Sequence, residues 1–270
     1  MPPLFQLRDV GFHYDGISAL SGLSLQIAQG ERVALLGANG SGKSTLLRLL
    51  DALYFPAQGS VSFDGTPLTP ERLREDDSAM AFRRRVALVF QNPDVQLFNP
   101  TVWDEVAFAP LQLSWPKETV IAKVNETLEL MGISQLRDRP TYRLSGGEKK
   151  RVALASVIVL DPDVLLLDEP TATLDPRSQS QVIDLIQGWK GSSKTVIAAT
   201  HQLEIVEDIA DRIVVLEEGR VAADGAPADI LSNHELLLRA NLVHAHRHSH
   251  GKLTHSHPHI HSHSHSQHEH

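Results

Sequence analysis

The sequence predicts an α/β fold with a mixed or parallel core sheet, an N-terminal antiparallel β subdomain and an inserted helical subdomain. Near the N-terminus, two segments alternate apolar and polar residues, as half-buried antiparallel strands do. From residue 164 onward, short apolar segments alternate with helical ones, an order that is typical of parallel α/β sheets. Between these parts, residues 92–160 contain several prolines and show helical spacing, which predicts a mostly helical insertion.

The first half of the chain supplies five predicted strands and one helix. Phe5 and Leu7 alternate with polar residues, the pattern slips at Val10, and residues 23–27 alternate again. We expect two antiparallel strands there. Residues 32–36 are continuously apolar after Arg32, which indicates a strand covered on both faces. A helix over 43–53, an alternating strand over 59–65 and a buried strand over 86–90 follow.

The second half completes the predicted domain. Within the insertion, Val120, Val124, Leu128 and Met131 recur at helical intervals, which predicts an amphipathic helix. Beyond it we expect strands at 164–167, 195–199 and 212–216 and helices at 178–189 and 203–210. The expected organisation is one domain over residues 1–240 and a separate tail over residues 241–270.

The composition excludes several classes of protein. Of the 270 residues, 41% are hydrophobic and 21% are charged, which predicts a packed core instead of a wholly disordered chain. No apolar run approaches the roughly 20 residues of a membrane-spanning helix, and the N-terminus lacks the pattern of a signal peptide. The absence of cysteine excludes disulfides and thiolate metal sites, and it suits a reducing cytoplasm.

The charge is distributed unevenly along the chain. Of the 15 histidines, all but three lie between residues 244 and 270. Arg247, Lys252 and Glu269 give residues 241–270 a formal charge of +1. Because the whole chain carries −8, residues 1–240 carry −9. Because an acidic surface repels phosphate backbones, we do not expect nucleic acid as a partner.

A glycine-rich loop fits the phosphate-binding pattern G-x-x-x-x-G-K-[ST]. Glycines let the backbone curl so that successive N–H groups point at phosphate oxygens, and the following helix adds its positive N-terminal end. The lysine supplies a charge for the β- and γ-phosphates, and the serine hydroxyl suits Mg²⁺. The residues of this predicted site are Gly37, Ala38, Asn39, Gly40, Ser41, Gly42, Lys43, Ser44 and Thr45.

Two acids end the predicted strand at residues 164–167. In open α/β sheets, ligands bind at the carboxyl ends of the strands. Asp168 is therefore a candidate to hold Mg²⁺, and Glu169 is a candidate to polarise the water that attacks the γ-phosphate. An isolated Asp-Glu pair is often only a strand end at the surface; the phosphate loop makes the catalytic interpretation stronger.

A third motif, Leu144-Ser145-Gly146-Gly147-Glu148, opens a predicted helix. Ser145 precedes Glu148 by three residues, which is the spacing of a capping box. A capped helix start with two glycines also exposes N–H groups to an anion. In this order and spacing, the motif resembles the signature of the ABC-transporter ATPases.

Further positions resemble that family in the expected order. Tyr14 resembles the aromatic residue that stacks on adenine, and Gln91 resembles the glutamine that senses Mg²⁺ and water. The stretch 173–175 resembles the loop that crosses the dimer interface. His201 resembles the histidine that contacts the γ-phosphate, whereas Gln202 stands where the family often has aspartate.

The resemblance covers about residues 3–235 and implies a P-loop NTPase of the ABC ATPase type, with ATP and Mg²⁺. The implied catalytic residues are Glu169, His201 and Gln91. The implied Mg²⁺ ligands are Ser44, Gln91 and Asp168. Besides the phosphate loop, the implied ATP contacts are Tyr14, Ser145, Gly146, Gly147 and Asp175.

The resemblance also implies a dimer. Two such domains would associate head to tail, as a homodimer or a heterodimer. ATP would lie between Lys43 and Ser44 of one subunit and Ser145 and Gly147 of the other. The phosphate charge would hold the interface together, hydrolysis would weaken it, and this change would drive a membrane partner.

The segment Val89 to Phe98 resembles the corresponding segment of energy-coupling-factor importers, especially the cobalt and nickel branch. That resemblance implies a transmembrane coupling subunit, a substrate-binding membrane subunit, and a peripheral position on the cytoplasmic face of the cell (inner) membrane. Phe98 is a candidate contact to the transmembrane subunit; the alternative is that it is buried in the helical subdomain.

Other functions agree less well with the sequence. The ATPase of another energy-coupling-factor or ABC importer, for a different metal or a vitamin, remains an alternative. Soluble ABC proteins of translation or DNA repair usually carry two modules or long coiled coils, for which this chain has no room. A soluble nickel-handling NTPase of the metallochaperone type usually carries an N-K-x-D motif, which is absent here.

The tail is rich in serine and histidine and poor in apolar residues, so we expect it to be disordered without metal. Imidazole suits Ni²⁺, Co²⁺, Zn²⁺ and Cu²⁺. Purification tags are usually uninterrupted runs, whereas these histidines alternate with other residues. The candidate ligands are His244, His246, His248, His250, His255, His257, His259, His261, His263, His265, His268 and His270.

Overall fold

The computed structural model describes residues 2–172 and 174–243 in full, and the backbone of residues 245–250 and 253–258. In these ranges the strands are β1 Phe5–Tyr14, β2 Ile17–Ile27, β3 Arg32–Leu36, β4 Gln58–Phe63, β5 Thr66–Pro67, β6 Val86–Val89, β7 Val164–Asp168, β8 Thr195–Ala199, β9 Arg212–Glu217, β10 Arg220–Gly225, β11 Ala245–His250 and β12 Leu253–Pro258. The α-helices are α1 Lys43–Leu50, α2 Asp76–Arg85, α3 Val102–Gln112, α4 Lys117–Leu130, α5 Gly146–Ile158, α6 Pro176–Gly188, α7 Val206–Ile209, α8 Pro227–Ser232 and α9 His234–Arg239.

The strands of the body form two sheets, as the sequence predicts. A four-stranded antiparallel sheet has the order β2-β1-β4-β5, and a six-stranded core sheet has the order β10-β9-β3-β8-β7-β6. The core sheet is parallel except for β10, which pairs antiparallel with β9 at one edge. The pattern slip at Val10 corresponds to register irregularities between β1 and β2 on both sides of that residue.

The core sheet is covered on both faces, which explains its continuous apolar strands. In β3, Val33 and Leu35 belong to a core shared with the antiparallel sheet and α1. Ala34 and Leu36 belong to a second core shared with the helical insertion. Because both faces are buried, every residue of β3 is shielded from water, and period-2 alternation disappears.

Several predicted boundaries move in the structure. Helix α1 ends at Leu50 instead of residue 53, because Ala52 adopts a positive φ of 52°, which α-helices do not accept. The predicted helix at 203–210 is a 3₁₀ turn followed by α7. Elements β5, α2, β10, α8 and α9 had no counterpart in the sequence prediction.

The described part of the C-terminal region has two further features. The packed body extends to Val243, whose exposure is only 8%, because Leu242 and its neighbours pack against the core that contains the helical insertion. Within the tail, for which the composition predicts disorder, β11 and β12 pair antiparallel. Backbone pairing needs no hydrophobic core, although a two-stranded hairpin is marginally stable on its own.

Helices in the described ranges are all too short or too polar to cross a membrane.

Candidate nucleotide-binding site

The phosphate loop lies between β3 and α1, at the carboxyl edge of the core sheet. Gly37 has a φ of 151° and Gly42 a φ of 104°. A Cβ at Gly37 would collide with the Leu216 carbonyl oxygen and the Ser41 side chain, and one at Gly42 would lie 2.7 Å from the Ala19 carbonyl oxygen. The tight curl of the backbone therefore requires glycine at both positions.

Lys43 opens α1 and bends back over the loop. Its Nζ donates to the carbonyl oxygens of Gly37 at 2.7 Å and Ala38 at 3.0 Å. Burial lowers the pKa of Lys43, while the nearby Glu169 and Asp168 carboxylates raise it. The ammonium thus lies between the loop and the acidic strand end, where it is placed to meet a negatively charged phosphate.

Ser44 and Asp168 meet across the site, as a shared Mg²⁺ would require. The Ser44 hydroxyl donates to Asp168 Oδ1 at 3.1 Å. Burial raises the pKa of Asp168, the hydrogen bond from Ser44 lowers it, and the Glu169 charge raises it. Both side chains and Gln91 line one cavity of about 370 Å³. Oxygen donors of this kind are the ligands that Mg²⁺ prefers, so the donor set fits the ion.

Glu169 follows β7 in an unusual backbone conformation, with a φ of 49°. Such a left-handed conformation costs a non-glycine residue about 1–2 kcal/mol and is frequent at functional sites. The carboxylate is buried and shares a 2.8 Å hydrogen bond with His201 Nδ1. The structure therefore brings the predicted catalytic glutamate and histidine together at one edge of the sheet.

Tyr14, the predicted adenine contact, lines the same cavity. Its hydroxyl is 3.3 Å from Thr45 Oγ1, and Arg48 donates to it at 3.4 Å. Its ring contacts Tyr54 edge to face at a centroid distance of 5.8 Å. The sequence prediction missed Arg48 and Tyr54, because only tertiary packing brings them next to Tyr14.

The cavity is lined by ten of the predicted site residues and by three that were missed. Its described lining includes Tyr14, Asn39, Gly40, Gly42, Lys43, Ser44, Thr45, Gln91, Asp168 and Glu169. Ile17, Ser18 and Ala19 complete the wall. They follow Tyr14 directly in the hairpin of β1 and β2, so their proximity to Tyr14 along the chain was an available signal.

The signature residues lie at the start of α5, outside the described lining of the cavity. Ser145 caps α5: its hydroxyl accepts from the Glu148 N–H at 3.3 Å, and the Glu148 carboxylate accepts from the Ser145 N–H at 2.8 Å. The predicted capping box is therefore confirmed. Ser145, Gly146, Gly147 and Asp175 are not among the described residues that line the cavity of Lys43.

Asp175 and Gln202 have clear structural partners. Asp175 caps α6 by accepting from the N–H groups of Arg177 and Ser178. Gln202 accepts a hydrogen bond from the buried Thr171 hydroxyl. Of the predicted interface loop at 173–175, Thr173 lies outside the described residues, as do the side chains of all twelve predicted metal-binding histidines of the tail.

The loop, the acidic strand end and the histidine define a nucleoside-triphosphate site. A family model described as "ABC transporter" matches residues 20–172. The nickel import ATP-binding protein NikO of Rhodobacter capsulatus is 55% identical over 90% of this chain and 97% of its own length.

Solved structures agree with this match. One is cbiO1 from Clostridium perfringens, described as part of the ABC transporter complex cbiONQ; it has a TM-score of 0.75 and 37% identity over 90% of this chain and 96% of that one. The ATP-binding cassette MJ0796, a dimer bound to ADP and phosphate, has a TM-score of 0.74 and 27% identity. The match covers 83% of this chain and 98% of that one.

The chain therefore belongs to the ABC transporter family. It is an ATPase that uses Mg²⁺ and couples ATP hydrolysis to transport.

Proposed function

We propose that this chain is the ATP-hydrolysing subunit of a membrane importer for nickel or cobalt ions. The observation that carries the proposal is the 55% identity to a nickel import ATP-binding protein along almost the whole length of both chains. The geometry of the nucleotide site supports the ATPase part, and the histidine-rich tail supports the metal part.

In the proposed reaction, the N–H groups of the phosphate loop and Lys43 hold the phosphates of ATP. Ser44, Gln91 and Asp168 would hold Mg²⁺, which would neutralise phosphate charge when bound. Glu169 accepts a hydrogen bond from the attacking water and orients it toward the γ-phosphate. The 2.8 Å contact between His201 and Glu169 supports a role for His201 beside the same phosphate.

The proposed active assembly is a head-to-tail dimer of ATPase subunits, either two copies of this chain or this chain with a related one. Its support is the position of Ser145 and Gly147 on the helical insertion, outside the described lining of the Lys43 cavity. A second subunit would bring its Ser145, Gly146, Gly147 and Asp175 to the ATP held by the first.

The proposed contact with the transmembrane coupling subunit is an apolar patch on the helical insertion. Phe98 is 67% exposed, which excludes its burial, and Val95 and Leu111 are also exposed. Phe98 packs edge to face on Phe108 with ring centroids 4.8 Å apart. The buried Glu105 carboxylate fixes this loop, since it accepts from the N–H of Phe98 at 2.9 Å.

In the proposed complex, the chain lies peripherally on the cytoplasmic face of the cell (inner) membrane, together with a substrate-binding membrane subunit. The test is ion uptake into membrane vesicles that contain the complete complex, with ATP supplied on the side of the ATPase. ATP-dependent uptake of Ni²⁺ or Co²⁺ is the expected result. Uptake of neither ion, or of a vitamin instead, would contradict the proposed cargo.

We further propose that the tail is a metal buffer that binds several Ni²⁺, Co²⁺ or Zn²⁺ ions through its twelve histidines. Side chains two residues apart in an extended strand lie about 6.6 Å from each other, whereas metal–nitrogen bonds are about 2.0–2.1 Å. The chain must therefore curl around each ion. This ordering costs entropy and gives moderate affinity.

Truncation after Val243 is expected to remove most Ni²⁺ binding and to leave ATP hydrolysis nearly unchanged, because no predicted catalytic residue lies beyond His201. Calorimetry should show Ni²⁺ binding to the full-length chain at pH 7.5 that fades at pH 5.5, since imidazole protonates below about 6.5, and little binding to the truncated chain at either pH. Equal Ni²⁺ uptake by truncated and full-length chains would show that the tail is not the metal-binding element.

A further inference from the structure

Lys150 is a buried cation to which the proposed mechanism gives no role. It lies on α5, one turn after the signature glycines, and only 2% of its surface is exposed. Its Nζ donates to three backbone carbonyl oxygens: Phe90 at 2.9 Å, Gln91 at 3.3 Å and Asp168 at 3.2 Å. One ammonium thus joins the signature helix to the segment after β6 and to the end of β7.

Placing an ammonium here is unfavourable unless it is fully paired. Burial lowers the pKa of Lys150 to about 8, although the Asp168 and Glu169 carboxylates raise it. An ammonium has three N–H donors, and each has a carbonyl acceptor at this position. A shorter or uncharged side chain could not satisfy all three carbonyls.

A second contact ties the same segment to α5. The Gln96 side-chain amide donates to the Ala153 carbonyl oxygen at 2.8 Å, and its oxygen accepts from the Phe90 N–H at 3.3 Å. The segment that carries Gln91 is therefore held to the signature helix at both of its ends. A displacement of α5 would displace the backbone of Gln91.

We propose that Lys150 is a positioning residue that holds the backbones of Gln91 and Asp168 in the arrangement that hydrolysis requires. This inference rests on the proposed roles of Gln91, Asp168 and Glu169. Lys150 has no hydrogen bond with the phosphate loop in the described structure. Its loss should therefore slow the hydrolytic step and leave ATP binding intact.

The test compares steady-state ATPase kinetics and ATP affinity of the full-length chain with those of three variants. Lys150→Met should lower kcat about tenfold or more, because small displacements of catalytic groups are costly, with KM and ATP affinity within about twofold of wild type. Lys150→Gln, which is one atom shorter but still a donor, should show a smaller loss in the same direction. Lys123→Met removes an exposed lysine of the same subdomain and should keep the wild-type kcat.

A wild-type kcat in Lys150→Met, or a rise in KM with kcat unchanged, would overturn the inference. If Lys150→Met fails to fold, as judged by thermal unfolding, a wild-type kcat in Lys150→Gln overturns it equally. Glu169→Gln is measured in parallel: full activity of that variant would refute the proposed catalytic roles. An inactive Glu169→Gln beside fully active Lys150 variants would refute the positioning role alone.

Discussion

The Glu169→Gln variant is expected to bind ATP and to hydrolyse it at least about 100-fold more slowly, because a positioned general base contributes an effect of this size. The substitution keeps the size of the side chain and removes its charge. Asp168, Ser44 and the phosphate loop stay in place, so the phosphate site remains. Because ATP is then not consumed, the dimer should accumulate with nucleotide bound.

ATPase assays and size-exclusion chromatography with ATP and Mg²⁺ measure both effects. Glu129→Gln is the matched control: it removes the same charge from an exposed position on α4 and should hydrolyse ATP normally. Hydrolysis at the wild-type rate in Glu169→Gln would show that another group orients the water.

The Lys43→Ala variant is expected to weaken ATP binding by at least about thirtyfold, as the loss of one partner of a buried charge pair does. Two contributions disappear together. The ammonium no longer meets the phosphates, and the loop loses the hydrogen bonds from Nζ to the carbonyl oxygens of Gly37 and Ala38. The buried Asp168 and Glu169 also lose their neighbouring cation.

Equilibrium binding of ATP, with thermal unfolding to verify the fold, tests this expectation. Lys190→Ala removes a lysine from an exposed position after α6 and should bind ATP as the wild type does. Unchanged affinity in Lys43→Ala would remove this lysine from the phosphate site. The two variants also separate ATP binding from hydrolysis, because Lys43→Ala weakens binding and Glu169→Gln blocks hydrolysis after ATP has bound.

Much of the candidate site could be predicted because a parallel sheet brings the carboxyl ends of its strands to one edge. The phosphate loop follows β3, Asp168 ends β7, and His201 follows β8. Local patterns reveal each strand, and topology then forces their ends together. The Ser145 cap was predictable for a similar reason, since capping depends on residues only three positions apart.

Only the tertiary structure decided which strands are neighbours and which side chains meet across them. Packing leaves Phe98 exposed. It also joins segments that are distant along the chain, through the contact of Tyr14 with Tyr54 and the three hydrogen bonds of Lys150. Hydrophobic periodicity reports which face of an element is buried, and it carries no information about the partner on that face. The sequence by itself thus determined the order of the elements and the chemistry of the phosphate loop. Packing determined which side chains of the helical insertion contact the backbone beside the nucleotide site.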